Sequence, residues 1–359
     1  AARALEIPAA ITCIGFELPP SVDPLPSIRP WDRSSIDELC KSDAAVLKNI
    51  NTVLQQYSKT PLHHVTDMFS GLPAVLTTFP ELDHYGGRTN ARYVGPLSAL
   101  PATAEAEWPL SEGKRIFAYL RPSVPGFEHL LTALQESGAS ILCVAPGVSE
   151  EDARRVTSPR FKVLIHPVSL DKALRHADLA VVYGSGTMSD ALLAGVPLLM
   201  VPQVVEQLLV AGRIEELGAG LLWRAPRTVE NAKATVKKAL EDPNLLAAAR
   251  AFALRHQGFS PEAAVNSVVE VICTLIIMVS YLGWVSAQVT ALGLVFHLLS
   301  GEAISLSMGM VIGVVSILAY TLFGGMWSVA VTDFIQMIIL VVGLSVLAIF
   351  AGHQAGGAD

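Results

Sequence analysis

The sequence predicts an α/β protein built on a doubly wound parallel sheet and joined to a transmembrane all-α segment of about three helices. Three observations carry that prediction. Short apolar runs alternate with helical stretches through residues 93–270. All 25 Lys and Arg residues of the 359-residue chain precede position 271. Residues 271–359 hold only three acids, Glu302, Asp333 and Asp359, in an otherwise apolar stretch.

The strands and helices of the α/β part follow in order. Arg115–Leu120 reads as a strand and Gly126–Ser137 as a helix. Ile141–Val144 and Phe161–Ile165 are the next strands. Asp171–His176 is helical, Leu179–Val182 a strand, Thr187–Ala194 a helix and Pro197–Val201 a strand. Upstream, Ala9–Ile14 reads as one further strand, followed by a Pro-rich loop from Pro19 to Trp31. The chain opens in mid-pattern at Ala1–Leu5, which reads as the start of a fragment.

The charge balance excludes some functions. A net charge of −7 with no basic stripe argues against a nucleic-acid partner. The four cysteines, Cys13, Cys40, Cys143 and Cys273, form no CxxC pair. They read as buried single thiols in a reducing compartment, with no disulfide framework and no zinc site expected.

The turn Val182-Tyr183-Gly184-Ser185-Gly186-Thr187 joins a buried strand to a helix. Free N–H groups and the helix dipole there favour a phosphate, although a Gly-x-Gly pattern alone also serves many ordinary turns. The residues around it are more specific. Gly184-Ser185-Gly186-Thr187-Met188-Ser189-Asp190-Ala191-Leu192-Leu193-Ala194-Gly195-Val196-Pro197 continues through Val201-Pro202, Glu206-Gln207 and Glu216-Leu217-Gly218-Ala219-Gly220. With Phe79-Pro80-Glu81-Leu82-Asp83 and Tyr93-Val94-Gly95-Pro96, this resembles GT-B glycosyltransferases of the UDP-glycosyltransferase type over most of residues 1–270.

The resemblance implies a Rossmann-like C-terminal domain over 93–270 that binds a nucleotide sugar, and an incomplete N-terminal acceptor domain over 1–92. It implies that Gly184, Ser185, Gly186 and Thr187 hold the diphosphate, that Asp190 accepts from the ribose hydroxyls, and that Glu206 and Gln207 hold the donor sugar. The implied reaction is sugar transfer to a hydroxyl on a small-molecule or lipid acceptor. The nucleotide sugar is a co-substrate, and no metal or other cofactor is implied. Two departures stand out. Val182 and Tyr183 occupy the places of the family's His and first Gly. The family's general base, an early His, has no counterpart, so no catalytic residue is assigned. His63, His64 and His84 fall at the wrong places in the pattern; His63-His64 reads as a loop or helix face. His166 reads as structural at a strand end, and His176 does not replace the missing contact. Arg121 reads as a surface residue, with an anion contact as the alternative.

The tail has three apolar stretches, about 271–299, 303–323 and 334–351, separated at Gly301-Glu302 and at Gly324-Gly325 through Asp333. Gly309 and Gly313 suit close helix contact. The segment from Tyr320 to Gln336, with Thr332-Asp333, resembles the sodium:solute symporter family. Asp333 reads as a helix cap, with an ion ligand as the alternative. The resemblance implies part of a transporter, lacking the helices that supply the sodium site, so sodium enters only if that part were complete. The location expected is a multi-pass inner or plasma membrane, with Arg250 and Arg255 favouring a cytoplasmic α/β part. The reading as a truncated glycosyltransferase fused to a symporter segment leaves two alternatives, membrane transport and a chimeric chain with no complete activity. The abrupt join near residue 270 favours the chimeric or recent-fusion reading.

Overall fold

The computed structural model describes residues 9–88, 91–97, 107–109 and 112–354. Ala1–Leu5 lies outside the described residues. So do the side chains of residues 320–333, including that of Asp333. The chain divides into two units, Ala1–Leu275 and Ile276–Asp359.

The first unit contains two parallel sheets. The smaller has the order β1 (Ile11–Cys13), β2 (Ala74–Leu76), β3 (Arg92–Tyr93), with Cys13 opposite Leu76 and Leu76 opposite Tyr93. The crossover from β1 to β2 carries α1 (Ile36–Gln56). Ser35 opens α1 with a capping box: its Oγ accepts from the Glu38 amide, and Glu38 accepts from the Ser35 amide at 2.8 Å. His64 leads into a 3-10 turn, Val65–Met68, and pairs with Asp23 at 2.9 Å. The His64 side chain therefore serves the loop, and the His63 amide donates to Asp67 at 3.0 Å.

The larger sheet has six parallel strands: β4 (Arg115–Tyr119), β5 (Ser140–Val144), β6 (Phe161–Leu164), β7 (Leu179–Val182), β8 (Leu198–Met200) and β9 (Gly220–Leu222). Their spatial order is β6-β5-β4-β7-β8-β9. The order reverses between β4 and β7, the topological switch of a doubly wound fold. Continuous apolar runs are required because both faces are covered. Alternation within each strand shows it. Ile116, Ile141, Leu179 and Leu199 enter one core with Leu130 and Leu134 of α2 (Phe127–Gln135). Phe117, Leu142, Ala180 and Leu198 enter the other core.

Helices α3 (Glu150–Val156), α4 (Leu170–Leu174), α5 (Ser185–Leu193), α6 (Val205–Glu216), α7 (Val229–Glu241) and α8 (Pro243–Arg255) complete the layers. Met188 and Leu192 of α5, Ile214 of α6 and Phe252 of α8 fill the second core. Val236 of α7 faces the first. Every strand expected between residues 115 and 201 is present, within a residue or two at its ends.

Helix α9 (Pro261–Leu299) runs from the first unit into the second, and α10 (Leu306–Gln354) follows it. Among the described residues, α9 is the one helix long and apolar enough to cross a membrane; two shorter apolar segments, Leu306–Ser316 and Met337–Leu347, lie within α10. The expected break at Gly324-Gly325 through Asp333 is not a break in the backbone, which continues as helix. The stretch holds no proline, so every amide can keep its bond along the helix. Two glycines cost about 1 kcal/mol each, less than leaving peptide groups unpaired among apolar neighbours. Gly309 is where the two helices approach: a Cβ there would lie 2.7 Å from the carbonyl oxygen of Gly293.

Candidate functional site

The cavity that gathers the sequence-predicted residues lies at the carboxyl ends of strands from both sheets of the first unit. Its volume is about 210 Å³. Gly15 and Phe16 follow β1, and Thr77 and Thr78 follow β2. Ser185, Gly186 and Ser189 come from the start of α5, after β7, and Glu206 from the first turn of α6, after β8. His84 completes the wall from the loop that leads toward β3. Ligands in open α/β sheets bind at such strand ends.

The local sequence explains why α5 begins there. Val182, fully buried, ends β7, and Gly184 is the N-cap with extended backbone, φ −90° and ψ 138°. Gly184 brings no side chain to cap this helix end. The first amides of α5 are thus left for another acceptor, and the helix dipole favours an anion. Neither Gly184 nor Gly186 has positive φ, and a Cβ on either would meet nothing within 4 Å. Protein packing does not demand glycine at either position. The open space beside both is what a closely approaching ligand uses.

Of the seven expected donor-site residues, Ser185, Gly186 and Glu206 line the cavity. Gly184 is their immediate neighbour as the N-cap. Thr187 and Asp190 lie further along α5, half-buried and outside the lining. Gln207 has a backbone partner instead, since its Oε1 accepts from the Gln203 amide at 2.9 Å, in the turn before α6. His166 and His176 are exposed and outside the cavity.

Two polar atoms on the cavity walls are buried and, among the described residues, have no hydrogen-bond partner: Oε1 of Glu206 and Nε2 of His84. Leaving such an atom unpaired costs about 1–3 kcal/mol, so a ligand or water that pairs with it is favoured. Burial lowers the His84 pKa, opposed by nearby Asp83. The sequence pattern sets His84 aside as a base and does not single out Thr77 and Thr78. The available signal is their position beside Phe79-Pro80-Glu81-Leu82-Asp83, itself part of the glycosyltransferase-like pattern.

Comparison with known proteins adds three findings. Residues 259–359 match the model of the "Sodium:solute symporter family". Among curated proteins, the chain is 26% identical over 215 residues to a "PGL/p-HBAD biosynthesis glycosyltransferase" of Mycobacterium tuberculosis (strain ATCC 25177 / H37Ra), covering 57% of this chain and 48% of that protein. It is 38% identical over 77 residues to "NDP-glycosyltransferase YjiC" of Bacillus subtilis (strain 168), covering 21% of this chain and 20% of that protein. The chain thus spans about half the length of the first of these relatives. Among solved structures, glycosyltransferase VinC in complex with dTDP aligns with a TM-score of 0.54 at 18% identity, covering 75% of this chain and 68% of that one. CalG4, the calicheamicin glycosyltransferase, aligns with the same score, identity and coverage. The two parallel sheets, the reversal between β4 and β7 and these alignments agree: the chain carries a GT-B glycosyltransferase-like α/β fold, followed by a helical segment that matches the sodium:solute symporter family over residues 259–359.

Proposed function

We propose that the α/β part binds a nucleoside diphosphate sugar and passes the sugar to a hydroxyl-bearing acceptor. The observation that carries this reading is the cavity at the strand ends, where Ser185, Gly186 and Glu206 meet beside Gly184, and packing requires neither glycine. In this reading the amides at the start of α5, with Thr187, hold the diphosphate. Asp190 accepts from the ribose hydroxyls, and Glu206 with Gln207 orients the sugar. The acceptor oxygen forms a bond to the anomeric carbon as the bond from that carbon to the diphosphate oxygen breaks. The nucleoside diphosphate leaves, and the acceptor's proton passes to a base. The curated relatives, both named as glycosyltransferases, support the same reaction class.

Titration calorimetry of the full chain in detergent, with UDP and dTDP, tests the reading. Binding of either at micromolar to millimolar concentration is expected. A folded sample that gives no heat with either nucleotide overturns it.

We infer that the helical segment lies in a bilayer, supported by the family match and by the length and apolarity of α9. Arg250 and Arg255, just before α9, favour a cytoplasmic side for the α/β part. Alkaline carbonate extraction of membranes from expressing cells should leave the chain in the pellet. Release into the supernatant would refute the membrane assignment.

A further inference from the structure

One departure from the glycosyltransferase pattern, Tyr183, meets Arg121 in space. Tyr183 stands where the resemblance expects glycine. Arg121 follows the first strand of the larger sheet. Its guanidinium carbon lies 5.5 Å from the centroid of the Tyr183 ring. The Tyr119 ring lies 6.0 Å from the Tyr183 ring, at 33° to it. These residues stand at the carboxyl ends of β4 and β7, the neighbouring strands between which the sheet order reverses.

We propose that Arg121, held on the face of Tyr183 at this switch point, binds the diphosphate of the nucleotide donor. The proposal rests on the donor-binding reading above and names a residue that the family pattern does not supply. Val182, in the place of the family's His, is fully buried and apolar, and offers no polar contact. A positive charge from the adjacent strand end takes over the contact a ligand phosphate would otherwise lack.

The surroundings hold Arg121 in place without neutralising it. Its carbonyl accepts from the Val124 amide at 3.0 Å, closing a turn after β4. Ser123 in that turn donates to Oε1 of Gln203 at 3.1 Å, tying the loop after β4 to the loop after β8. Among the described residues no carboxylate pairs with Arg121, and its side chain is exposed. By contrast Arg213 on α6 and Arg224 after β9 are paired with Glu216 and Glu215. Arg121 and Tyr183 lie outside the cavity lining, but at the β4–β7 reversal, with Tyr183 two residues before Ser185; a guanidinium supported there by an aromatic face and lacking a counter-charge is suited to an incoming phosphate oxygen.

The test is calorimetry of the full chain in detergent, with UDP and dTDP as ligands and uridine and thymidine as controls lacking phosphate. Arg121→Ala should weaken diphosphate binding by about tenfold to a hundredfold, the range of a charge-assisted hydrogen bond. Arg121→Lys should recover part of the loss. Tyr183→Leu should weaken binding less than Arg121→Ala, and Tyr183→Phe should match the unmodified chain. Nucleoside binding should be the same in all variants, and diphosphate binding should depend less steeply on salt in Arg121→Ala. Because Arg121 is exposed, melting curves should show that Arg121→Ala folds normally. Diphosphate affinity in Arg121→Ala within twofold of the unmodified chain overturns the proposal and leaves the donor reading standing. No binding by the unmodified chain removes both.

Discussion

The phenol of Tyr93 donates a 2.6 Å hydrogen bond to Oδ2 of Asp83, a carboxylate with no exposed side-chain surface. The same oxygen lies 2.9 Å from Nε of Arg88, and the Tyr85 amide donates to Oδ1 at 3.1 Å. Arg88 also donates to the carbonyl of Gly15 at 2.8 Å. A single buried acid thereby fastens β3, the segment after β1 and the loop carrying His84. That loop forms one wall of the candidate site.

Removing the acid should be costly, because Arg88 would keep its charge with one main acceptor. Asp83→Ala is expected to destabilise the first unit by about 3–5 kcal/mol, the range for breaking a buried pair from one side. Tyr93→Phe should cost about 1 kcal/mol, since Asp83 retains Arg88 and the Tyr85 amide. Thermal unfolding followed by near-ultraviolet circular dichroism measures both. Equal melting temperatures for Asp83→Ala and the unmodified chain would contradict this account.

The same contact sets a pH dependence. Burial first, then the hydrogen bond to Asp83, pushes the Tyr93 pKa up to about 12. Its ordinary value is 10, so between the two the unfolded chain loses the proton that the folded chain keeps. The contribution of Tyr93 to stability is therefore complete below pH 10 and is lost as pH rises through 12. Tyr93→Phe should flatten the fall in melting temperature above about pH 10, and tyrosinate absorbance should show one late-titrating group fewer.

Gly95 allows the chain after β3 to pass beneath Phe259. Its φ is +81°, and a Cβ there would lie 2.3 Å from a carbon of the Phe259 ring. Gly95→Ala combines left-handed backbone strain with a collision against a ring. A loss of about 2–4 kcal/mol is expected. The double variant Gly95→Ala with Phe259→Leu should recover part of it if the ring is the obstacle, as read by denaturant midpoints.

Much of the fold is legible in the sequence, and the gaps have physical causes. Strands β4, β5, β7 and β8 are visible because both faces are buried, so each reads as an apolar run, while the edge strand β6 shows through Phe161, Val163 and Leu164 around Lys162. The strand β9 is not, since Gly220-Leu221-Leu222 is only three residues long and opens on glycine. Helix α1 escapes notice for a different reason: it has no fully buried residue, so its apolar pattern is diluted by a polar surface. Ser185, Gly186 and Glu206 are found through local motifs. His84 follows the Phe79–Asp83 motif directly, but that it lines the same cavity depends on the path of the chain between β2 and β3. Arg121 and Tyr183 each stand out separately, but their meeting depends on β4 and β7 being neighbours in the sheet.

Gly186 separates a structural role from a ligand role. Its backbone is unstrained for any residue, its Cβ direction is empty, and it lies in the first turn of α5. Alanine is a better helix former than glycine by about 1 kcal/mol, so Gly186→Ala should leave stability unchanged or slightly raised. A ligand phosphate that approaches the α5 amides would meet the added methyl. Affinity for UDP or dTDP should fall at least about tenfold, the scale of one lost hydrogen bond to a charged group. The discriminating result is the combination. A variant with an undiminished melting temperature and weakened nucleotide binding supports ligand approach at Gly186. Undiminished binding would move the diphosphate away from the start of α5.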